Sequence, residues 1–310
     1  MFLLEAVPID TIRLNFSEEN LVLLNFILAF LMFGIALNLT MDDFRRLWQY
    51  PRKAIAGILS QWVVLPLLTY MIVVVLKPEP GIALGIILLG ACPGGNMSNY
   101  LSSIARGNVA LSVTLTAAST VLCVFLTPLN FTFYGSLYGP TRELMQEISV
   151  EPWALFESVV IILGVPLVLG MLTARFLPKI TGIILKPVRI ISLLIFVAFI
   201  VGAFLGNYSI FLEVIGVIFF LVFLHNLLGL AAGYGMAALF RMDFKDKKCL
   251  SIETGIHNAA LGLILIFTFF DGLGGMAIVA GWWGIWDLVS GFALAGWWWW
   301  RDKKQLQSMA

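Results

Sequence analysis

Apolar stretches of roughly 20 residues, the length at which a helix crosses a bilayer, recur along most of the chain. In lipid every backbone N–H and C=O needs a partner inside the protein, so stretches of this kind fold as transmembrane helices. Taken in order they predict about nine spans, approximately 21–40, 54–76, 81–106, 108–136, 153–175, 187–206, 209–240, 249–270 and 276–300. Residues 1–20 read as a polar lead, and MFLLEAVPID lacks the long apolar region of a signal peptide. Only 12% of the residues are charged, against about 25% in a soluble domain. The chain is therefore a polytopic membrane protein with no room for a soluble catalytic domain. Its net charge of +1 gives no reason to expect nucleic acid. Cys92, Cys123 and Cys249 lie in or beside apolar segments without metal-like spacing, so disulfides are not expected.

One span is broken. GIALGIILLG (81–90) is followed by Ala91-Cys92-Pro93-Gly94-Gly95-Asn96-Met97-Ser98-Asn99 and then by the more polar YLSSIARGN. Pro93 removes a backbone donor, and the two glycines after it lower helix propensity further. Broken backbone is tolerated at membrane depth only where protein buries it or water lines it. The break therefore marks a site.

All but three of the 19 basic residues fall on one side of the predicted topology. The three exceptions are Arg13, Lys77 and Arg142, the last beside Glu143, Glu147 and Glu151. The excess of Lys and Arg marks the cytoplasmic face, which puts the N-terminus outside and the C-terminus inside. Trp297 to Trp300, just before Arg301, read as an aromatic anchor at that face, with 301–310 as a cytoplasmic tail.

Spans one to four and six to nine form two sets that run in opposite directions, the inverted-repeat pattern of secondary transporters. If the third span of one set carries a site, the third of the other should carry its counterpart. That span is CLSIETGIHNAALGLILIF (249–267), which places Glu253, Thr254, Gly255, His257 and Asn258 in an apolar run. A carboxylate there costs at least about 2.5 kcal/mol, and no Lys or Arg lies within those 19 residues. A bound cation completed by Asn, Ser and Thr oxygens satisfies it; so does a protonated Glu253 hydrogen-bonded within the bundle.

These residues carry a resemblance. CPGGNMSNYLSSIARGNVALSVTLT (92–116) and IETGIHNAALGL (252–263), with FLMFGIALNLTMDDFRRLWQYPRK (30–53), the Gln61 to Pro66 stretch and FLHNLLG (223–229), resemble the bile acid/sodium symporter family over roughly residues 21–295. The resemblance implies an all-α polytopic membrane protein of about nine transmembrane helices, an inverted-repeat transporter fold with two crossing discontinuous helices. It implies a panel subdomain (approximately 21–40 and 153–206) and a core subdomain (approximately 54–136 and 209–300) within one transmembrane domain, 21–300. Carried over by position, a first sodium site falls on Ser98, Asn99, Ser112, Thr116 and Glu253, all oxygen donors. A second falls on Gln61, Glu253, the carbonyls of Thr254 and Ile256, and His257, where relatives usually carry Gln. Imidazole nitrogen is a poor ligand for a hard cation. His257 is left open to a substrate contact, a water-mediated one, a titrating role or a structural bridge to Glu253.

On the substrate side the resemblance points to Asn96, where relatives have Thr, and to Asn258, Asp287 and Leu288. A carboxylate at Asp287 repels an anion unless it is paired. His225 is one candidate partner; packing of His225 against Asn226 and a neighbouring helix is the alternative. Glu157 and Glu213 are expected at solvated span ends. The expected function is sodium-coupled import of a small organic anion, bile-acid-like, steroid-like or a carboxylate or sulfonate, across the cell membrane. Na+ is then the coupling ion, with no organic cofactor and no obligatory protein partner beyond membrane lipids. The rivals are a proton-coupled carrier using Glu253, His257 and Asp287, and a non-transporting substrate sensor. A hydrolase is disfavoured, because the chain has neither an HExxH run nor a GxSxG elbow.

Overall fold

A computed structural model describes residues 18–307 apart from 96, 149–151 and 207. The described residues are almost entirely helical: α1 (Glu18–Ala36), α2 (Met41–Gln49), α3 (Pro51–Leu59), α4 (Leu65–Leu76), α5 (Pro80–Gly90), α6 (Met97–Ile104), α7 (Val109–Leu137) and α8 (Gly139–Glu147) form the first part. The second part comprises α9 (Pro152–Val159), α10 (Val165–Phe176), α11 (Pro178–Gly206), α12 (Tyr208–Leu239), α13 (Phe244–Gly255), α14 (Ala259–Phe269) and α15 (Gly274–Gln307). Each expected span maps onto helix. Pro51–Leu76, Val109–Leu137, Ile218–Leu239 and Gly274–Lys304 are individually long and apolar enough to cross a bilayer. The protein is a multi-pass membrane protein.

Local chemistry explains the interruptions. A π-helical turn, Ser60–Val64, joins α3 to α4 just ahead of Pro66. Proline has no N–H to offer the carbonyl four residues back, and that carbonyl, Trp62 O, instead accepts the Asn130 side-chain amide of α7 at 3.1 Å. A second π turn, Val160–Gly164, joins α9 to α10 ahead of Pro166. Thr40 opens α2 with a capping box to Asp43, Oγ1 to Oδ2 at 2.7 Å.

Packing divides the helices. α1 lies chiefly against α10 and α11, α12 against α13, and α15 against α5, α14 and α12. α5 is buried along its whole length from Gly81. Its Leu84 and Ile86 join Phe131, Phe267 and Trp283 in the apolar core. The three cysteines are buried and unpaired. Glu157 is exposed, as expected of a span end; the Glu213 side chain lies outside the described residues.

α15 continues past the expected span through Arg301 to Gln307, where Asp302 is tied to the buried Lys248 Nζ at 2.6 Å. One expectation is corrected: the tryptophan run is not a uniform interfacial anchor. Trp297, Trp299 and Trp300 are exposed beneath Arg301, Lys303 and Lys304 respectively, whereas Trp298 is 4% exposed and packs inward. Four consecutive residues occupy every side of a helix, so one of them must face the protein.

The two broken spans meet. Between α5 and α6 and between α13 and α14 the chains run antiparallel for a few residues, pairing Gly94 with His257. Gly95 N–H donates to Ile256 O at 3.2 Å and Asn258 N–H to Pro93 O at 2.9 Å. Side chains would keep these backbones apart. A Cβ on Gly94 would sit 2.8 Å from Glu253 Oε1, and one on Gly95 2.9 Å from His257 O. Asn258 caps α14 through Leu261 N–H at 3.1 Å, and Asn108 caps α7 in the same way through Leu111 N–H.

Candidate functional site

Glu253 sits on the last turn of α13 with no exposed surface. Its Oε2 accepts hydrogen bonds from Ser98 Oγ of α6 at 2.6 Å and from Ser112 Oγ of α7 at 2.9 Å. Its Oε1 accepts Thr116 Oγ1 of α7 at 2.6 Å. Thr116 Oγ1 also lies 3.2 Å from Asn99 Oδ1. The five residues expected as one oxygen cluster are therefore brought together from three helices. Among the described residues the ion pairs involve Lys53 and Lys248 but not Glu253. Burying a carboxylate without a counter-charge is expensive. Three charge-assisted hydroxyl bonds offset part of that cost, and each hydroxyl oxygen keeps lone pairs for a cation.

The second expected set assembles differently. Gln61 Nε2 donates to the Glu253 backbone carbonyl at 2.9 Å, and its Oε1 accepts the hydroxyl of Ser119. Thr254 Oγ1 pairs with Ser60 Oγ at 2.8 Å. The Ile256 carbonyl takes Gly95 N–H. The His257 ring turns towards Trp283 and His225, with centroids 5.4 Å and 6.0 Å away, and neither ring nitrogen has a hydrogen-bond partner among the described residues. The structural bridge from His257 to Glu253 is not formed.

On the substrate side, Asp287 is 4% exposed. Its Oδ2 accepts the backbone N–H of His257 at 3.0 Å, while Oδ1 has no hydrogen-bond partner among the described residues. His225 is not paired with it: Nε2 of His225 meets Thr69 Oγ1 at 2.6 Å, and its ring packs 4.7 Å from that of Trp283. The neighbour of His225, Asn226, donates to Gly255 O at 2.9 Å. Leu288 stands on an adjacent face, 39% exposed. Asn258 is half-buried at its cap, and Asn96 lies outside the described residues.

Several contributors escape a residue-by-residue reading. Ser119 continues the Ser112 and Thr116 stripe at helical spacing, a signal present in the sequence. Ser60 and Thr69 carry no such signal. At the far end of α13, Lys53 pairs with Asp246, which accepts Asn108 Nδ2 at 2.7 Å. Asp243 caps α13 by accepting Asp246 N–H at 2.9 Å. Partial burial alone would raise the Asp243 carboxyl, but that hydrogen bond and the Lys53 charge hold it below its ordinary value.

Comparison with known proteins gives the family. Residues 25–214 match the family described as the Sodium Bile acid symporter family. The chain is 32% identical over 281 residues to a protein named the uncharacterized sodium-dependent transporter YocS of Bacillus subtilis, covering 91% of this chain and 84% of that one. It is 31% identical over 246 residues to the probable sodium/metabolite cotransporter BASS1, chloroplastic, of Arabidopsis thaliana, covering 78% and 58% of the two chains. It is 30% identical over 237 residues to sodium/bile acid cotransporter 4 of Mus musculus, covering 76% and 53%. The chain thus spans a little over half the length of the plant and mouse relatives. A transmembrane helical fold, two broken helices crossing at a buried carboxylate and these matches lead to one conclusion: the chain belongs to the Sodium Bile acid symporter family, whose named relatives are transporters and not enzymes.

Proposed function

We propose that the chain is a sodium-coupled symporter that imports a small organic anion by alternating access. The observation that carries this reading is Glu253, wholly buried, ringed by the oxygens of Ser98, Asn99, Ser112 and Thr116 and lacking a cationic side chain. Sodium is a hard cation that takes such oxygens, and the relatives' printed names, which include "sodium-dependent" and "sodium/metabolite", support it as the coupling ion. Its charge compensates the buried carboxylate and ties α13 to α6 and α7, which orders the crossing. Sodium and substrate are coupled because both favour that ordered state.

The substrate meets the crossing on its other side. Helix N-termini attract anions. Just ahead of α14 the His257 N–H is taken by Asp287, and inside it Leu261 N–H is taken by the Asn258 side chain, so the N-terminus of α6 is left for the substrate's carboxylate or sulfonate. Bile-acid-like and steroid-like acids fit this chemistry. The core helices, 54–136 and 209–300, then rock against a panel formed by 21–40 and 153–206. The N-terminus lies outside the cell membrane and the C-terminus in the cytoplasm. A proton-coupled carrier is the second reading, favoured by polar atoms of His257 and Asp287 that lack a hydrogen-bond partner among the described residues.

Thermal unfolding of the purified chain in sodium chloride against choline chloride tests the proposal. Sodium should raise the wild-type midpoint and leave Glu253→Gln unmoved. Equal wild-type midpoints in the two salts, with uptake undiminished without sodium at varied pH, would favour the proton-coupled carrier.

A further inference from the structure

We propose that an anionic phospholipid is held by its phosphodiester in a cavity where two membrane-crossing helices end. Pro51–Leu76 and Ile218–Leu239 are each long and apolar enough to cross a bilayer. A cavity of about 440 Å³ opens between the first turn of the former and the residues just beyond the latter, and its lining includes Tyr50, Arg52, Lys53, Arg241, Asp243 and Asp246. It therefore lies at the depth of the lipid headgroups, where basic pockets between transmembrane helices take anionic lipids.

The charges around it are unequally engaged. The Lys53 ammonium pairs with the buried Asp246 carboxylate and lies 3.8 Å from that of Asp243. Both carboxylates thus meet the same cation from within the protein. Arg52 and Arg241 are exposed and enter no ion pair among the described residues. Three cations against two carboxylates leave an excess of one positive charge in the lining, which the single negative charge of a phosphodiester balances. Arginine suits the role, because its planar fork donates two parallel hydrogen bonds to phosphate oxygens.

The surface beneath the cavity selects a lipid over a soluble phosphate. Arg52, Ile55 and Leu59 follow at helical spacing on one face of α3, and all three are exposed. Leu239, at the end of α12, is exposed as well. An acyl chain running down from a phosphate at Arg52 covers these aliphatic side chains, whereas a soluble anion covers none of them. Trp48 and Tyr50, 86% and 57% exposed, stand where aromatic rings settle between headgroups and hydrocarbon. A lipid seated here joins α3 to the turn leading into α13, the half-helix that carries Glu253.

The detergent-purified full chain is titrated with dioleoylphosphatidylglycerol, dioleoylphosphatidylcholine or glycerol phosphate. Bound lipid is counted by native mass spectrometry and stability followed by the thermal midpoint. Phosphatidylglycerol should bind and raise the midpoint, since a ligand of the folded state stabilises it. Phosphatidylcholine, whose choline cancels its charge, should bind more weakly, and glycerol phosphate should leave the midpoint unmoved. Each arginine beside an anionic lipid is worth roughly a factor of five in affinity. Arg52→Gln combined with Arg241→Asn should therefore weaken phosphatidylglycerol binding roughly 25-fold. Asn suits position 241 because φ there is 49°, a left-handed conformation that Asn accepts. Arg175→Gln, which removes an exposed cation on α10, should titrate as wild type. Equal binding of the two lipids, a double variant that titrates as wild type, or an equal loss in Arg175→Gln would overturn the site. A midpoint raised as far by glycerol phosphate would overturn the lipid as its occupant.

Discussion

Thr116→Val is the sharpest probe of the cation cluster, because valine keeps the shape and removes only the hydroxyl. Thr116 Oγ1 donates to Glu253 Oε1 at 2.6 Å and approaches Asn99 Oδ1 at 3.2 Å. Oε2 has two hydroxyl donors, Ser98 and Ser112, whereas Oε1 has Thr116. A hydrogen bond to a charged group is worth about 1.5–3 kcal/mol, and each 1.4 kcal/mol is roughly a factor of ten in affinity. Thr116→Val should therefore weaken sodium binding by roughly 10- to 100-fold. Ser112→Ala leaves Ser98 on the same oxygen, and its loss should be about tenfold or less on the same scale. The assay is a sodium titration of the thermal midpoint at constant ionic strength, followed by intrinsic fluorescence of the ten tryptophans. A Thr116→Val titration that superposes on wild type would refute the placement of the cation on Glu253 Oε1.

Gly94→Ala should abolish the sodium response while the protein remains helical by circular dichroism, since the new Cβ would fall 2.8 Å from Glu253 Oε1. Lys248→Met removes a Lys 1% exposed that holds Ala105 O at 2.9 Å and Asp302 at 2.6 Å. Stripping one partner from a buried pair costs about 3–5 kcal/mol, and the partial exposure of Asp302 makes about 2 kcal/mol the better figure for the drop in stability. Asp243→Ala should cost about 1 kcal/mol at neutral pH as a lost helix cap. The folded Asp243 carboxyl lies below its ordinary value of 3.8, so the cap's contribution is present above that value and lost as pH falls through the lower folded one. Melting curves of wild type and Asp243→Ala should therefore converge on acidification; a gap that persists in acid would contradict this.

The break at Pro93 to Asn99 and its counterpart at Glu253 to Asn258 were legible because proline, paired glycines and a carboxylate are conspicuous among apolar residues. Their role as partners followed from the antiparallel order of the spans. The pairing of His225 with Thr69 was not legible, because the two are 156 residues apart. A helix that is apolar all round gives no periodicity to say which side faces a neighbour. The same blindness hid Trp298, buried among exposed tryptophans. Asp287 read as a cavity carboxylate facing a substrate, yet one of its oxygens is committed to a backbone N–H, and main-chain donors leave no mark in a sequence. The run of α15 beyond the apolar stretch was not legible for a related reason: only the fold brings Asp302 to Lys248.

The crossing of the two broken helices is held by Gly95 N–H to Ile256 O and Asn258 N–H to Pro93 O. Those groups belong to the main chain, and nearly every amino acid supplies them. Positions 257 and 258 can consequently exchange side chains without dismantling the junction, provided Gly94 and Gly95 stay small. On the proposed symport reading, side chains at the crossing can change while the main-chain junction that holds the two half-helices together stays the same.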